Sequence, residues 1–395
     1  MSAPNPPSAA PLDLLYSEAE EELRTAVRSL LASRCDAAAV LARIEGGAPH
    51  DPVLWRVLAA DIGAAGLLVP EKLGGQGASH REAAVVLEEL GRAAAPVPYL
   101  TSAVPATEIL LGCDGADCAD LLRELAAGRR VCAPALPLTL APGAPLPAPV
   151  RDTGAGPGGG TGPGGGHGGG TGTRTLSGSV TSVADAAGAD VLLVLADTGL
   201  YAVQADSPGV SRTPLVALDL TRPLATVTLD GAAGTRLADP ATARAAIAGA
   251  LLSGAGLLAS EQLGLAEWCL AQTVAHLRTR HQFNRPLGSF QALKHRLARL
   301  WLDVASARAA ARAAADALAT GAPDAPLTVA VAQAYCSGVA VKAAEECVQL
   351  HGGIGMTWEH PAHLYLKRAK ADSLALGTAG HHRGLVADFA ELPSP

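Results

Sequence analysis

Along the first hundred residues, apolar positions recur every three or four places, the period of a helix with one buried face. Ser17-Glu18-Ala19-Glu20 matches a capping box and leads into Leu23, Val27, Leu30 and Leu31 at that spacing. Pro52 opens a second pattern, with Leu54, Trp55, Leu58 and Ile62 on one side. Gly63, Gly66 and the segment Val69–Gly77 then read as a turn-rich loop. Ser79 and Glu82 repeat the capping-box chemistry ahead of Val85, Val86, Leu87 and Leu90. Gly91 ends that helix, and Pro96 and Pro98 keep it from resuming.

From Val131 to about Asp239 the period changes. Short β-favouring runs, Thr175–Val183, Asp190–Leu195, Leu200–Gln204 and Leu224–Leu229, alternate with Pro, Gly and Asp, which predicts a small β domain. Inside it, thirteen of the nineteen residues of Gly154–Gly172 are glycine. Gly154-x-Gly156-x-x-Gly159 has the letters of a dinucleotide fingerprint, but a Pro-rich stretch precedes it and no helix follows. It reads as a flexible low-complexity loop. After Ala241 the helical period returns, first in an element running to about Gln282. A second follows Pro286, with Leu293, Leu297, Leu300, Val304 and Ala307 on one stripe and Arg296, Arg299 and Arg308 off it. A third runs from Leu327 to about His351 and a shorter one over Pro361–Ala375. The chain is therefore expected to be α+β and mainly α. A disordered tail over 1–12 would precede an N-terminal helical domain over 13–130. A small β-barrel or β domain over 131–240 would carry the Gly-rich loop 154–172, and a C-terminal four-helix bundle would fill 241–395.

Composition narrows the chemistry. Apolar residues make up 49% of the chain but aromatics only 3%, so the core must be built from Ala, Leu and Val, which favours helix. A formal charge of −7 and scattered Lys and Arg leave no electrostatic footprint for nucleic acid or an anionic membrane. Met1–Pro11 lacks the basic-then-apolar pattern of a signal peptide, and the uncharged stretch Ala245–Ser260 is shorter than the ~20 residues a membrane span needs. A cytoplasmic location is expected. Seven cysteines, without a C-x-x-C, suit reduced thiols that act as small buried hydrophobes. The pairs His360/His363 and His381/His382 have no zinc-spaced companions and read as surface or helix-end histidines, so no metal site is expected.

Two stretches carry distinctive chemistry, Arg280-His281-Gln282-Phe283-Asn284 and Gln349-Leu350-His351-Gly352-Gly353-Ile354-Gly355. Arg280 can fork onto phosphate oxygens, Phe283 offers a flat apolar surface, Gln291 and Gln349 offer amides, and Gly352-Gly353 admits a ligand close to the backbone. Together they resemble the flavin-clamping R-x-x-F-G and Q-x-x-G-G-x-G elements of the acyl-CoA dehydrogenase family, with Asn284 in place of the usual Gly. Val69–Gly77 is similar to that family's V-P-E-x-x-G-G-x-G loop, and Glu88–Pro98 to its E-E-L-G-R-A-A-A-P-x-P segment. The similarity thus covers most of both helical regions. It implies FAD as cofactor, an acyl-CoA thioester as substrate and electron-transfer flavoprotein as electron acceptor. It further implies a clamp of Arg280, Phe283, Gln291, Gln349, Gly352, Gly353 and Thr378 that reaches a neighbouring subunit's flavin.

The same resemblance implies a glutamate base that removes the α-proton of the thioester. Aligning the family's E-G-T motif puts Leu376 in that slot, and the alternative position upstream of R-x-x-F falls on Gly254; neither accepts a proton. Asp372, Glu261 and His381 are the candidate substitutes. The family's T-E-P-x-A-G-S-D loop and W-x-T/S-N-G strand, which hold a chain's own flavin, correspond to Cys132–Leu136 and Ser177–Thr181 here. The chain therefore resembles the base-less subunit of actinobacterial heteromeric acyl-CoA dehydrogenases, an α2β2 assembly with a paralogous chain. Two alternatives remain, a self-sufficient homomeric dehydrogenase with a displaced base and a non-redox acyl-CoA- or flavin-binding protein of the same fold.

Overall fold

The computed structural model describes residues 14–155 and 173–392, so the expected N-terminal tail and the Gly-rich loop beyond Ala155 lie outside the described residues. Helix α1 (Glu18–Arg34) starts as its capping box dictates, Ser17 Oγ accepting the Glu20 N–H at 3.2 Å and the Glu20 carboxylate accepting the Ser17 N–H at 2.5 Å. Helix α2 (Ala37–Glu45), capped by Asp36, is an element the apolar spacing did not separate. Helix α3 (Pro52–Arg56) runs on through a wider turn at Val57–Asp61. Helix α4 (His80–Arg92) is capped by Ser79 and Glu82 as expected, and two short helices follow, α5 (Thr107–Leu111) and α6 (Ala116–Ala126).

The middle of the chain forms one mixed sheet. Its strands are β1 (Cys132–Pro134), β2 (Arg151–Ala155), β3 (Thr173–Ala184), β4 (Val191–Ala196), β5 (Gly199–Gln204), β6 (Val210–Pro214) and β7 (Leu224–Ala238). They lie in the order β1-β4-β5-β7-β3-β2, with β6 also on β7. Strand β7 outruns the expected end at Leu229. Asp230 and Gly231 together oppose Ser177 as a bulge, Gly231 taking φ +67°, and the ladder continues beyond them. The turn-like Asp-Gly pair is thus a kink inside a strand.

The C-terminal region packs three long helices, α7 (Pro240–Thr279), α8 (Gln291–Thr320) and α9 (Ala325–His351), with two short ones on α9, α10 (Ala362–Asp372) and α11 (Ala379–Phe389). The bundle thus gains a fifth helix, α11, whose weak apolar pattern hid it: His382 is its one fully buried residue. Helices α7 and α9 are long and apolar enough to cross a membrane, yet 61% and 56% of their most apolar windows are buried within the protein. Helix α7 is apolar on every side because α4, α8 and α9 all pack against it. The α4–α7 crossing is a backbone contact, for a Cβ on Gly91 would collide with the Glu261 carbonyl and one on Gly264 with the Glu88 carbonyl. All seven cysteines are buried free thiols.

Candidate functional site

The two distinctive stretches meet at one end of the bundle. Helix α7 stops at Thr279, short of the expected Gln282, because His281–Gln282 turns back on Arg285–Pro286 as a tight hairpin. Phe283 and Asn284 form its tip with φ +52° and +61°. After glycine, asparagine enters this left-handed region most readily, so Asn284 preserves the turn where the family has Gly. Phe283 is held there against its preference, its ring 84% exposed. Phe290 lies edge-on to it with centroids 6.1 Å apart, and Arg285 covers Phe290 at 3.8 Å. The second stretch closes α9, where Gly352 takes φ +67° and a Cβ on Gly352 or Gly353 would meet nothing within 4 Å. The His276 ring packs on His351 at 4.4 Å and His351 on His360 at 4.3 Å, joining the ends of α7 and α9. Arg280, Phe283, Gln291, Gln349, Gly352 and Gly353 are all exposed there.

Thr378 is elsewhere. It caps α11, accepting the His381 N–H at 3.2 Å, and α11 places His382 beside Val329 near the start of α9. Val329 lies about 23 residues from Gly352 along α9, or ~35 Å at 1.5 Å per residue.

Leu376 and Gly254, far apart in sequence, occupy one place. A Cβ on Gly254 would sit 3.2 Å from Leu376 Cδ1 and 3.1 Å from Pro105 Cγ. Leu376 is buried in the left-handed region at φ +53°, its N–H donating to the Leu138 carbonyl at 2.8 Å and its carbonyl accepting from His382 Nε2 at 2.9 Å. The gap beside it holds about 40 Å³ and is lined by Thr101, Pro105, Leu136, Leu251 and other small apolar groups. Among the described residues, no carboxylate or imidazole lines it.

The substitute acids are committed to a buried charge cluster. Arg222 donates to Asp372 Oδ1 at 2.6 Å and to both Glu261 oxygens at 2.8 and 2.6 Å. Arg368 Nε donates to Glu261 Oε1 at 2.6 Å, and its Nη1 to Thr221 Oγ1 at 2.8 Å and Asp219 Oδ2 at 3.2 Å. Although burial opposes ionisation, the charges of Arg222 and Arg368 hold Glu261 below the usual carboxylate range. Burial and the neighbouring Glu261 charge push Asp372 well above it, and Asp372 Oδ2 is buried without a partner among the described residues. Glu261, gripped by two guanidiniums, is a poor base, and neither it nor Asp372 is among the described residues that line the gap at Leu376. His381 donates from Nε2 to the Pro142 carbonyl at 3.0 Å. His382, expected at the surface, is buried. Sequence reasoning missed Arg222, Arg368 and Asp219. Glu261 was the available signal, because a carboxylate midway along an apolar helix must find a cation.

A flavin can be tested against this geometry in two halves. An isoalloxazine needs hydrogen-bond partners at its polar edge. The cleft between the sheet and α10, about 460 Å³, is walled by Leu138, Val216, Leu218, Leu224 and Leu374 together with the polar Thr139, Ser182, Asp219, Arg222, Lys370 and Ser373. The backbone groups of Leu138 are spent closing it, the N–H on the Ser182 carbonyl at 2.9 Å and the carbonyl on Leu376. The exposed clamp, with the Arg280 guanidinium and open glycines, fits the phosphate side of a flavin offered from outside. Arg280 lies about 26 residues beyond Gly254 along α7, ~39 Å away, so one chain's clamp and its base position cannot meet over a single flavin.

Known proteins agree with this architecture. The N-terminal domain of acyl-CoA dehydrogenases matches residues 17–129, and their C-terminal domain matches residues 244–390. Acyl-CoA dehydrogenase IpdE2 of Mycolicibacterium smegmatis is 35% identical over 361 residues, covering 91% of this chain and 95% of that protein. Among solved structures, the ChsE4–ChsE5 complex from Mycobacterium tuberculosis superimposes with a TM-score of 0.81 at 29% identity, covering 97% of this chain and 100% of that one. A glutaryl-CoA dehydrogenase from Mycobacterium smegmatis in complex with FADH2 shares the fold at a TM-score of 0.79 and 19% identity, with 95% of both chains covered. The chain belongs to the acyl-CoA dehydrogenase family, whose members use FAD.

Proposed function

We propose that this chain is one subunit of a two-chain acyl-CoA dehydrogenase, lending its surface clamp to a flavin whose ring contacts and catalytic glutamate belong to a paralogous partner. The carrying observation is the meeting of Leu376 and Gly254 in an apolar gap while the clamp stays open at the far end of α7. The likeness to one chain of the ChsE4–ChsE5 complex supports the two-chain arrangement. The pair would carry out FAD-dependent α,β-dehydrogenation of an acyl-CoA thioester as a cytoplasmic α2β2 assembly, passing electrons to electron-transfer flavoprotein. Within it, Arg280 would hold phosphate oxygens, Gln291 and Gln349 would bond to the dinucleotide, and Gly352-Gly353 would let it approach. The homomeric reading loses support because Glu261 is bound by two arginines and Asp372 does not line the gap at Leu376.

The test is to purify the full-length chain alone and co-expressed with an acyl-CoA dehydrogenase paralogue that carries the glutamate, and to record visible spectra. The chain alone should be colourless, the pair yellow and bleached by an acyl-CoA, and Arg280→Ala should lower the flavin content of the pair at least tenfold. Stoichiometric flavin on the chain alone, bleached by an acyl-CoA, would overturn the proposal. A colourless pair would instead favour a non-redox binding protein.

A further inference from the structure

Arg280 caps α7, and its N–H donates to the His276 carbonyl at 2.9 Å, so the two side chains leave successive turns of one helix face. The His276 ring packs at 4.4 Å on His351, the residue next to Gly352, and His351 packs at 4.3 Å on His360. His276 thus stands between the two halves of the clamp, the arginine on one side and the open glycines on the other. The other two rings are anchored. His351 Nδ1 donates to the Cys347 carbonyl at 2.7 Å, and His360 Nδ1 accepts the Ala362 N–H at 3.2 Å. His276 is half-buried, and its ring nitrogens neither bond to a group among the described residues nor are shut away from the surface.

Burial holds this imidazole below its ordinary titration range, and the charges of His351, His360 and Arg280 push the same way, against a weaker opposite pull from Cys347. These are the groups that face it, from α7, α9 and the loop ahead of α10. No carboxylate is among them, since Glu345 and Glu346 of α9 pair with Lys370 and Arg296. A diphosphate laid across the clamp supplies the missing anion. It offsets the Arg280 charge and favours the protonated ring. We propose that His276 is a second phosphate ligand of the clamp, taking up a proton as a dinucleotide diphosphate settles between Arg280 and Gly352-Gly353. The proposal rests on the clamp holding a flavin's phosphates. The protonated ring adds a charge-assisted hydrogen bond to the fork of Arg280. Because binding takes up a proton, the grip strengthens as the pH falls and weakens as it rises through the titration of the bound ring. A flavin dinucleotide's diphosphate keeps its own charge near neutral pH, so the dependence belongs to the protein. Ring packing alone would need no nitrogen at this position.

Nuclear magnetic resonance of the histidine-labelled full-length chain gives the first test. Inorganic pyrophosphate should raise the titration midpoint of His276 and leave the distant, buried His382 unmoved; a His276 midpoint that stays in place overturns the proposal. The second test is FAD affinity of the chain co-expressed with its glutamate-bearing paralogue. It should be about tenfold tighter at pH 6 than at pH 8, the lower end of what a hydrogen bond to a charged group contributes. His276→Phe keeps a ring on His351 and removes the nitrogens, so it should hold FAD at the weaker level throughout. The parent profile persisting in His276→Phe would equally overturn the proposal. A pair that takes no flavin, while pyrophosphate still moves His276, would count against the two-chain reading alone and leave the diphosphate site standing.

Discussion

Asp185 closes β3 in the left-handed region at φ +56°, accepting a hydrogen bond from Thr101 Oγ1 at 2.6 Å and fully enclosed by protein. Burial pushes its carboxyl up to about 6, against the opposing pull of the Thr101 hydrogen bond and the Arg222 charge. Because that value exceeds the ~3.9 of an unfolded chain, the folded state prefers the protonated form. Its contribution to stability is complete below pH ~4 and is lost as the pH rises through about 6. Asp185→Asn stays neutral, so its stability relative to the parent should improve steadily across that window in urea titrations. A difference that stays constant with pH would show that the Asp185 carboxyl titrates alike in the folded and unfolded chain. At this scale the sequence was informative about absences. Alignment alone placed an apolar side chain at Leu376 and none at Gly254. That these positions share one spot depends on where the C-terminal turn lands on α7, which spacing does not encode.

Among the elements, those with a chemical start signal were legible. Ser17 and Ser79 cap α1 and α4 as their carboxylate partners three residues on require. Helices α2, α5, α6 and α11 were not separated, being short and poor in apolar contrast, and tertiary packing rather than propensity sustains them. The α4–α7 crossing had no local signature either, although it holds Glu261 within reach of Arg222 and Arg368. Two glycines of α7 give a paired test. Gly264→Ala should drive α7 off the Glu88 carbonyl and cost about 3 kcal/mol or more, the upper range of overpacking. Gly249→Ala, where an added Cβ meets nothing within 4 Å, should stabilise the same helix by up to ~1 kcal/mol. Thermal unfolding of both variants measures the contrast, and equal melting temperatures would mean that the crossing adjusts without cost.

For the whole molecule, β2 and β3 pair antiparallel, Ala155 opposite Arg174, with residues 156–172 between them in the sequence. Replacing that segment with a turn of about four residues should leave the fold intact and raise stability by about 1 kcal/mol through the smaller loop-closure entropy. Chemical denaturation checks this, and a loss of stability would assign the segment a packing role. The sequence by itself determined the three-part architecture, because the switch from helical period to alternating runs and back is local. It also determined the family, since that rests on residue identity along both helical regions. Tertiary structure alone decided what the remaining acids do. Glu261 and Asp372 looked like spare bases until the fold carried Arg222 and Arg368 against them from distant parts of the chain. It also decided the reach of the clamp. A forty-residue helix sets Arg280 far from Gly254, and only a rigid, buried α7 turns that count of residues into a distance no single flavin spans.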